Sequence, residues 1–437
     1  MRVEMTFTPR MLLTDGTVRR LVLQVFAEVR QGWPFLTDVL SRAFKDSRVP
    51  DEMRGQVTDM VHDLVRMHRK VEYALGPDAD ELSRLGATLA LTGAVSLEDV
   101  RTGMGLPLEG LTGLQARIDA EGDAAVRLGL THSLPDWLAQ RLLDELGAER
   151  ANTLAAALNQ PAPQTLRVNT LRAHRDDVLA ELGAAGIPAL PTLRAPAGIT
   201  LATRINVFTL PAFADGRVEV QDEASQLVCE VVAPPPGGTV VDACAGAGGK
   251  TLGLAALLGN KGRIVALDPS GRRIGELKRR AARAQVFNVQ AHKYRAGEEV
   301  PPVVRELEGR AERVLVDAPC SGLGALRRNP EARWRVQPDD VERLRAQQLE
   351  IATQAARWVK PGGRLIYATC TFLRAECEDV VEKLRAAVPG LEPVRVREVL
   401  GGARTTGITD EQGMYLRTWP DLHGMDGFFA AVLRRKA

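Results

Sequence analysis

Thr239-Val240-Val241-Asp242-Ala243-Cys244-Ala245-Gly246-Ala247-Gly248-Gly249-Lys250-Thr251 is a short apolar run that breaks into glycines, and Leu252, Leu254, Ala255 and Leu257 continue it in a helical pattern. A strand over Thr239–Ala243 that turns through glycines into a helix lets the backbone approach a ligand closely and presents free N–H groups to it. Further short strands are expected at Arg263–Leu267, Arg313–Val316 and Arg364–Ala368, separated by helical patterns, and Phe428–Leu433 is also strand-like. This alternation predicts an α/β class with a mostly parallel sheet covered on both faces. Ligands of such sheets gather at the carboxyl ends of the strands, near a topological switch point.

The glycine turn fits neither common nucleotide loop. A phosphate-binding Walker loop ending in Gly249-Lys250-Thr251 would need glycine at Cys244, and the dinucleotide fingerprint would need its third glycine at Thr251. A purely structural strand-to-helix turn is the plain alternative. The second strand ends in Asp268-Pro269, about 20 positions past the glycines, where an acid can accept hydrogen bonds from ribose hydroxyls. Together the two features suit a nucleoside cofactor whose charge differs from that of a dinucleotide.

The third and fourth strands end in Asp317-Ala318-Pro319-Cys320-Ser321-Gly322 and in Thr369-Cys370-Thr371. Two cysteines at the ends of neighbouring strands face one cleft, whereas Cys229 reads as a small buried hydrophobe. A thiol becomes a strong nucleophile when cations or helix N-termini lower its pKa, and Lys250, Arg327, Arg328 and Arg333 are candidate cations.

Outside this region the N-terminal part reads as helical. Val18, Leu21, Val22, Val25, Phe26 and Val29 recur at three-and-four spacing, Val57, Met60, Val61, Leu64 and Val65 repeat it, and a stretch from Leu82 to Val95 is interrupted by Gly86 and Gly93. Arg19, Arg20, Arg30, Arg66, Arg69 and Lys70 are expected on the solvated faces. Trp137, Leu138, Leu142, Leu143 and Leu146 suggest one more helix, and residues 164–225 mix β-prone and helical pieces. Among 437 residues, 57 Lys plus Arg against 55 Asp plus Glu leave a formal charge of +2, so a nucleic-acid surface must be a local patch. At 45% hydrophobic composition disorder is not expected. The absence of a long uncharged apolar run speaks against a membrane span, and the stretch Met1–Arg19, with Glu4, Arg10 and Asp15, against a secretory leader. Five cysteines without a CxxC pair predict neither a disulfide scaffold nor a metal site, and a reducing, cytoplasmic home is expected.

The runs DACAGAGGKT, DAPCSGLGALRRNPEARW and YATCT followed by Glu376-Cys377-Glu378 resemble the RNA cytosine-5 methyltransferases of the Sun/Nop2 family. The likeness extends to Arg167-Val168-Asn169-Thr170-Leu171, to Gln221-Asp222-Glu223-Ala224-Ser225 and to Asp426-Gly427-Phe428-Phe429-Ala430-Ala431, and so covers residues 130–437 in order. The helical beginning and the junction Thr131–Leu138 resemble the NusB-like domain of the bacterial RsmB-type members. Three positions depart from the pattern. A proline is missing before Gly248-Gly249, Cys377 stands in place of an asparagine, and Gln290–Tyr294 lacks the acid that often contacts adenine.

The resemblance implies an all-α NusB-like domain over 1–128, a small α+β RNA-positioning segment over 129–225, and a Rossmann-like class I methyltransferase domain over 226–437. It implies S-adenosylmethionine as cofactor, held by Asp242, Cys244, Ala245, Gly246, Ala247, Gly248, Gly249, Lys250, Asp268, Arg273, Asp317 and Pro319. It also implies Cys370 as nucleophile, Cys320 as the group aiding proton removal or product release, and Asp317 at the edge of the cytosine ring. Arg167, Asn169, Lys250 and Arg327 become substrate contacts, although Lys250 reads equally well as part of the loop alone. Chemistry by itself leaves the choice of cysteine open, because DNA cytosine methyltransferases use a proline–cysteine pair like Pro319-Cys320. The basic run Arg272, Arg273, Lys278, Arg279, Arg280 and Arg283 either tracks phosphates or is a solvated helix face. The expected partner is RNA, most plausibly small-subunit ribosomal RNA, with no membrane and no metal, and a monomer is expected. A tRNA cytosine-5 methyltransferase and a non-catalytic RNA-binding assembly factor are the rival readings.

Overall fold

The computed structural model describes residues 9–14, 16–47, 49–50 and 53–437. Glu4 and Asp15, part of the stretch considered for a leader, lie outside the described residues. The chain forms two compact units, one of residues up to Pro161 together with Leu326–Pro338, the other of Ala162–Ala325 together with Asp339–Ala437. The domain bounds that the resemblance implies, after 128 and after 225, differ from the bounds of these units.

The described elements of the first unit are helical. Helix Gly16–Arg30 buries the six predicted apolar residues, and helix Arg54–Leu75 buries Val57, Met60, Val61, Leu64 and Val65. The third apolar stretch forms helix Glu81–Leu91, started by Asp80, whose carboxylate accepts the Ser83 N–H. Gly86 does not interrupt it, contrary to expectation. Its missing side chain admits Leu106 and Val100, which a Cβ would meet at 2.8 and 3.0 Å.

Arg66 also departs from its expected solvated face. It is 3% exposed and donates to Asp63 Oδ1 at 2.8 Å and to the Arg327 carbonyl at 2.7 Å. Arg327 and Arg333, candidate cations for the cysteines, belong to this helical unit. Arg333 is 0% exposed and donates to the Asn159 side chain at 2.7 Å and to the Ser133 and Leu158 carbonyls at 3.2 Å. Burial, reinforced by the charge of Arg66, pulls its pKa down to about 9. Beside it Trp334 donates to the Val65 carbonyl at 2.9 Å, and Glu331 accepts the Leu36 N–H. The segment is thus a structural member of the helical core.

The second unit holds two sheets. Strands β1 (Gln164–Val168), β2 (Ala189–Pro191), β3 (Gly198–Leu201) and β4 (Val218–Val220) form an antiparallel sheet in the order β2-β3-β1-β4. Leu166, Val168, Ile199 and Val218 pack on Val178 and Leu182 of helix Arg175–Ala184. The larger sheet contains β5 (Thr239–Asp242), β6 (Arg263–Asp268), β7 (Val289–Lys293), β8 (Ala311–Asp317), β9 (Val359–Thr369), β10 (Leu391–Val394), β11 (Leu416–Thr418) and β12 (Phe428–Arg435). Its order is β7-β6-β5-β8-β9-β12-β10, with β11 also on β12. Strands β5 to β9 pair in parallel, and β12 runs antiparallel to β9, β10 and β11. Val240, Val241, Val265, Leu267, Leu315 and Val316 are fully buried, as expected of strands covered on both faces. From β5 the order runs to β6 on one side and to β8 on the other, so the carboxyl ends of β5 and β8 mark the switch point.

Replacing Arg333 with alanine leaves three buried acceptors without their donor and should lower stability by about 3 kcal/mol. Thermal unfolding of the full chain measures this, and an unchanged transition would show that Arg333 does not support the helical core.

Candidate active site

The turn after β5 is shaped by two glycines with positive φ, Gly246 at 55° and Gly248 at 91°. A Cβ on Gly248 would also sit 2.7 Å from Leu277 Cγ, whereas one on Gly246 would meet nothing within 4 Å. The Gly246 main chain therefore borders open space, while Gly248 lets helix Gly249–Leu257 start against the next layer. Ala243 and Ala245 keep their N–H groups on the Leu315 and Leu267 carbonyls, at 2.8 Å each, which ties the loop between β8 and β6.

Three carboxylates stand at the strand ends. Asp242 is 0% exposed, and its Oδ2 accepts the Thr251 hydroxyl at 2.7 Å. Burial raises its pKa to about 7, Thr251 and Lys250 opposing and Asp317 reinforcing the shift. Asp268 accepts the N–H groups of Gly246 at 3.1 Å and Ser270 at 2.8 Å, and the exposed Arg273 lies 3.8 Å away. Asp317 is bonded to Lys250 Nζ at 2.7 Å. Burial lowers the pKa of Lys250, but Asp317, Cys229 and Cys370 outweigh it and the net shift is upward. Lys250 also lies 4.9 Å from the Phe428 ring centroid. Burial, followed by the charges of Asp242, Asp317 and Asp268, pushes the Cys244 thiol well above its usual range, so all three acids act on one place.

The decisive pair lies beside them. Cys320 Sγ and Cys370 Sγ are 3.3 Å apart, a thiol hydrogen-bond distance rather than a disulfide, whose sulfurs are about 2.05 Å apart. Parallel pairing of β8 with β9 sets Asp317 beside Ala368, so both turns leave the sheet at the same level. Gly324 then closes the gap. Its N–H donates to the Cys370 carbonyl at 3.0 Å, its carbonyl accepts the Gly427 N–H at 2.9 Å, and a Cβ there would lie 2.0 Å from the Gly427 oxygen. The hydrogen bond to Cys370, then burial, then the charges of Cys370 and Glu376 raise the Cys320 pKa well above the thiol value.

Several expected contacts are internal instead. Arg167 is buried and donates to the Gly249 carbonyl at 3.1 Å, supporting the glycine loop from behind. Asn169 is buried and donates to the Gly216 and Ala284 carbonyls at 2.9 Å each, joining the small sheet to the helix after β6. The Asn169 amide is thus engaged on main-chain carbonyls, whereas Arg167 Nε is buried without a hydrogen-bond partner. Of the basic run, Arg280 and Arg283 pair with the buried Glu219, and Arg280 also donates to the Ala247 carbonyl at 2.9 Å. Arg272, Arg273, Lys278 and Arg279 are exposed. Cys229 is buried, and its pKa is pushed up by burial to about 12, as a small core residue requires. Cys377 is fully buried, with its pKa also raised by burial to about 12. Sequence reasoning did not single out Gln348 or Tyr367, which support the cysteine turns from the interior, because nothing local distinguishes a buried helical glutamine. Among the described residues no three His, Cys, Asp or Glu side chains gather as a metal site, and no helix is long and apolar enough to cross a membrane.

Comparison with known proteins follows the same lines. The family profile for 16S rRNA methyltransferase RsmB/F matches residues 229–434, and the RsmF/B-like ferredoxin-like domain matches 134–208. The ribosomal RNA small subunit methyltransferase B of Pseudomonas syringae is 33% identical over 72% of this chain and 68% of its own. The chain belongs to the RsmB/F methyltransferase family. The probable ribosomal RNA small subunit methyltransferase B of Bacillus subtilis is 29% identical over 96% of this chain and 99% of its own. The crystal structure of PH0851 superimposes with a TM-score of 0.77 at 26% identity, covering 99% of this chain and all of that one.

As an RsmB/F-family methyltransferase the protein uses S-adenosylmethionine, and the donor set suits that cofactor. A sulfonium and an ammonium group are cations, and the strand ends offer carboxylates rather than a phosphate cradle. Asp268, accepting from two main-chain N–H groups, retains lone pairs for ribose hydroxyls, and Gly246 leaves the approach open. Asp268→Ala should raise the dissociation constant for S-adenosylmethionine about 10-fold or more. Titration calorimetry reads this directly, and an unchanged constant would move the ribose site elsewhere.

Proposed function

We propose that this protein methylates carbon 5 of a cytosine in small-subunit ribosomal RNA through a covalent cysteine adduct. The observation that carries the reading is the 3.3 Å separation of the Cys320 and Cys370 sulfurs beside the carboxylate cluster. Carbon 5 of cytosine is a poor nucleophile until a thiolate adds to carbon 6 and converts the ring to an enamine. Bound S-adenosylmethionine supplies the electrophilic methyl group.

Cys370 is the nucleophile in this reading, following the family likeness of the Tyr367–Thr371 run, and Cys320 stands 3.3 Å from it as the group that handles the proton. Asp317, oriented by Lys250, accepts a hydrogen bond from the ring edge and favours the electron-poor, protonated ring. Of the causes that raise the Cys320 pKa, the largest, the hydrogen bond, and one of the two charges belong to the free Cys370 sulfur. They are absent while that sulfur is bonded to carbon 6. Cys320, its own proton released to solvent, then takes the carbon-5 proton of the methylated ring, after which elimination breaks the sulfur–carbon bond and returns Cys370 as the thiolate. The thiolate approaches perpendicular to the ring, so the target base must leave its stack, at least cost in an unpaired RNA loop. The small-subunit substrate is supported by the relatives named for that activity and by the likeness along nearly the whole chain.

Cys370→Ala should abolish methyl transfer to 16S ribosomal RNA while S-adenosylmethionine still binds, and retained turnover would remove the nucleophile assignment. Cys320→Ala should trap the enzyme on RNA as a species that survives denaturing electrophoresis. Absence of that species, with methylation at the normal rate, would count against its role in proton removal.

A further inference from the structure

One buried carboxylate plays no part in that scheme. Glu376 is 0% exposed, yet it accepts the Ser321 N–H at 2.9 Å, the Ser321 hydroxyl, and the Gln348 side-chain amide at 2.9 Å. Gln348, from helix Pro338–Ala356, also donates to the Pro319 carbonyl at 2.9 Å. The Tyr367 hydroxyl lies 2.7 Å from the Glu376 carbonyl and 3.1 Å from Gln348 Oε1. Both neighbours of Cys320 in the chain are thereby fixed, Pro319 through Gln348 and Ser321 through Glu376. Glu376 itself lies on the segment that leaves Cys370, where the Thr371 hydroxyl oxygen is 3.0 Å from the Ser321 hydroxyl oxygen.

We propose that Glu376 is a positioning residue for methyl transfer, locking the Cys320 turn through Ser321 and Gln348 so that the Cys320 sulfur stays on Cys370. The inference rests on the roles given to the two cysteines above. Burying a carboxylate is costly unless donors surround it, and an apolar residue of similar size would fill the space at no such cost. What the carboxylate provides and an apolar residue does not is a fixed bridge between two loops, each carrying one reacting sulfur. Displacement of a reacting group by about 1 Å costs on the order of 100-fold in rate.

Glu376→Ala should therefore reduce kcat on ribosomal RNA about 100-fold, leave the S-adenosylmethionine dissociation constant within about two-fold of normal, and accumulate the covalent RNA adduct as Cys320→Ala does. Glu376→Gln, which keeps the shape and an acceptor for the Ser321 N–H, should recover most of the lost rate. Ser321→Ala, which removes a single hydroxyl, should shift kcat and adduct in the same direction by a smaller factor and serves if Glu376→Ala does not fold. Normal kcat without adduct in the folded variants overturns the proposal, as does a loss of rate matched by loss of cofactor binding. Wild-type protein that neither methylates cytosine nor forms an adduct would instead overturn the reading of the cysteines, and this inference with it.

Discussion

The register between β8 and β9, which sets Asp317 level with Ala368, is the constraint on which the site depends. It brings two turns from distant parts of the chain to the same edge of the sheet. Gly324, hydrogen-bonded on one side to Cys370 and on the other to Gly427, then brings them together with no room for a side chain. A sulfur pair at 3.3 Å is a product of this main-chain geometry. The side chains then divide the labour, because two thiols so close cannot ionise independently and one must keep the proton.

The same sheet separates two kinds of chemistry. Toward β5 and β6, glycines and carboxylates offer open space and negative charge to a cationic cofactor. Toward β9 lie the two sulfurs to which we assign the pyrimidine. Lys250 and Asp317 lie between the two, and their ion pair connects the glycine turn to the end of β8. In the proposed reading, substrate and methyl donor are served by residues from one loop and its neighbour.

Much of this could be read from the residues alone, and the reason is local. Val240-Val241 and Val314-Leu315-Val316 are buried on both faces, so their strands appear as unbroken apolar runs ending in acids. The cysteines stood out because they follow such strands. Arg167, Asn169, Arg66 and Arg333 misled for the opposite reason. A buried arginine that donates to carbonyls has the same composition as one that contacts a phosphate, and only the tertiary fold distinguishes them. The Ser321–Glu376–Gln348 bridge was hidden too, since it joins residues from three separated stretches whose meeting no periodicity encodes.

The incorporation of Leu326–Pro338 into the helical unit has a consequence for how this protein is made. A chain emerging from the ribosome presents Gly16–Arg30 and Arg54–Leu75 long before Trp334 and Arg333 exist to complete their surroundings. N-terminal domains generally fold first during synthesis. Here the early helices must stay incomplete until half the strands of the larger sheet have been translated, which couples maturation of the two units in time and makes the helical part unsuited to exchange as an independent cassette.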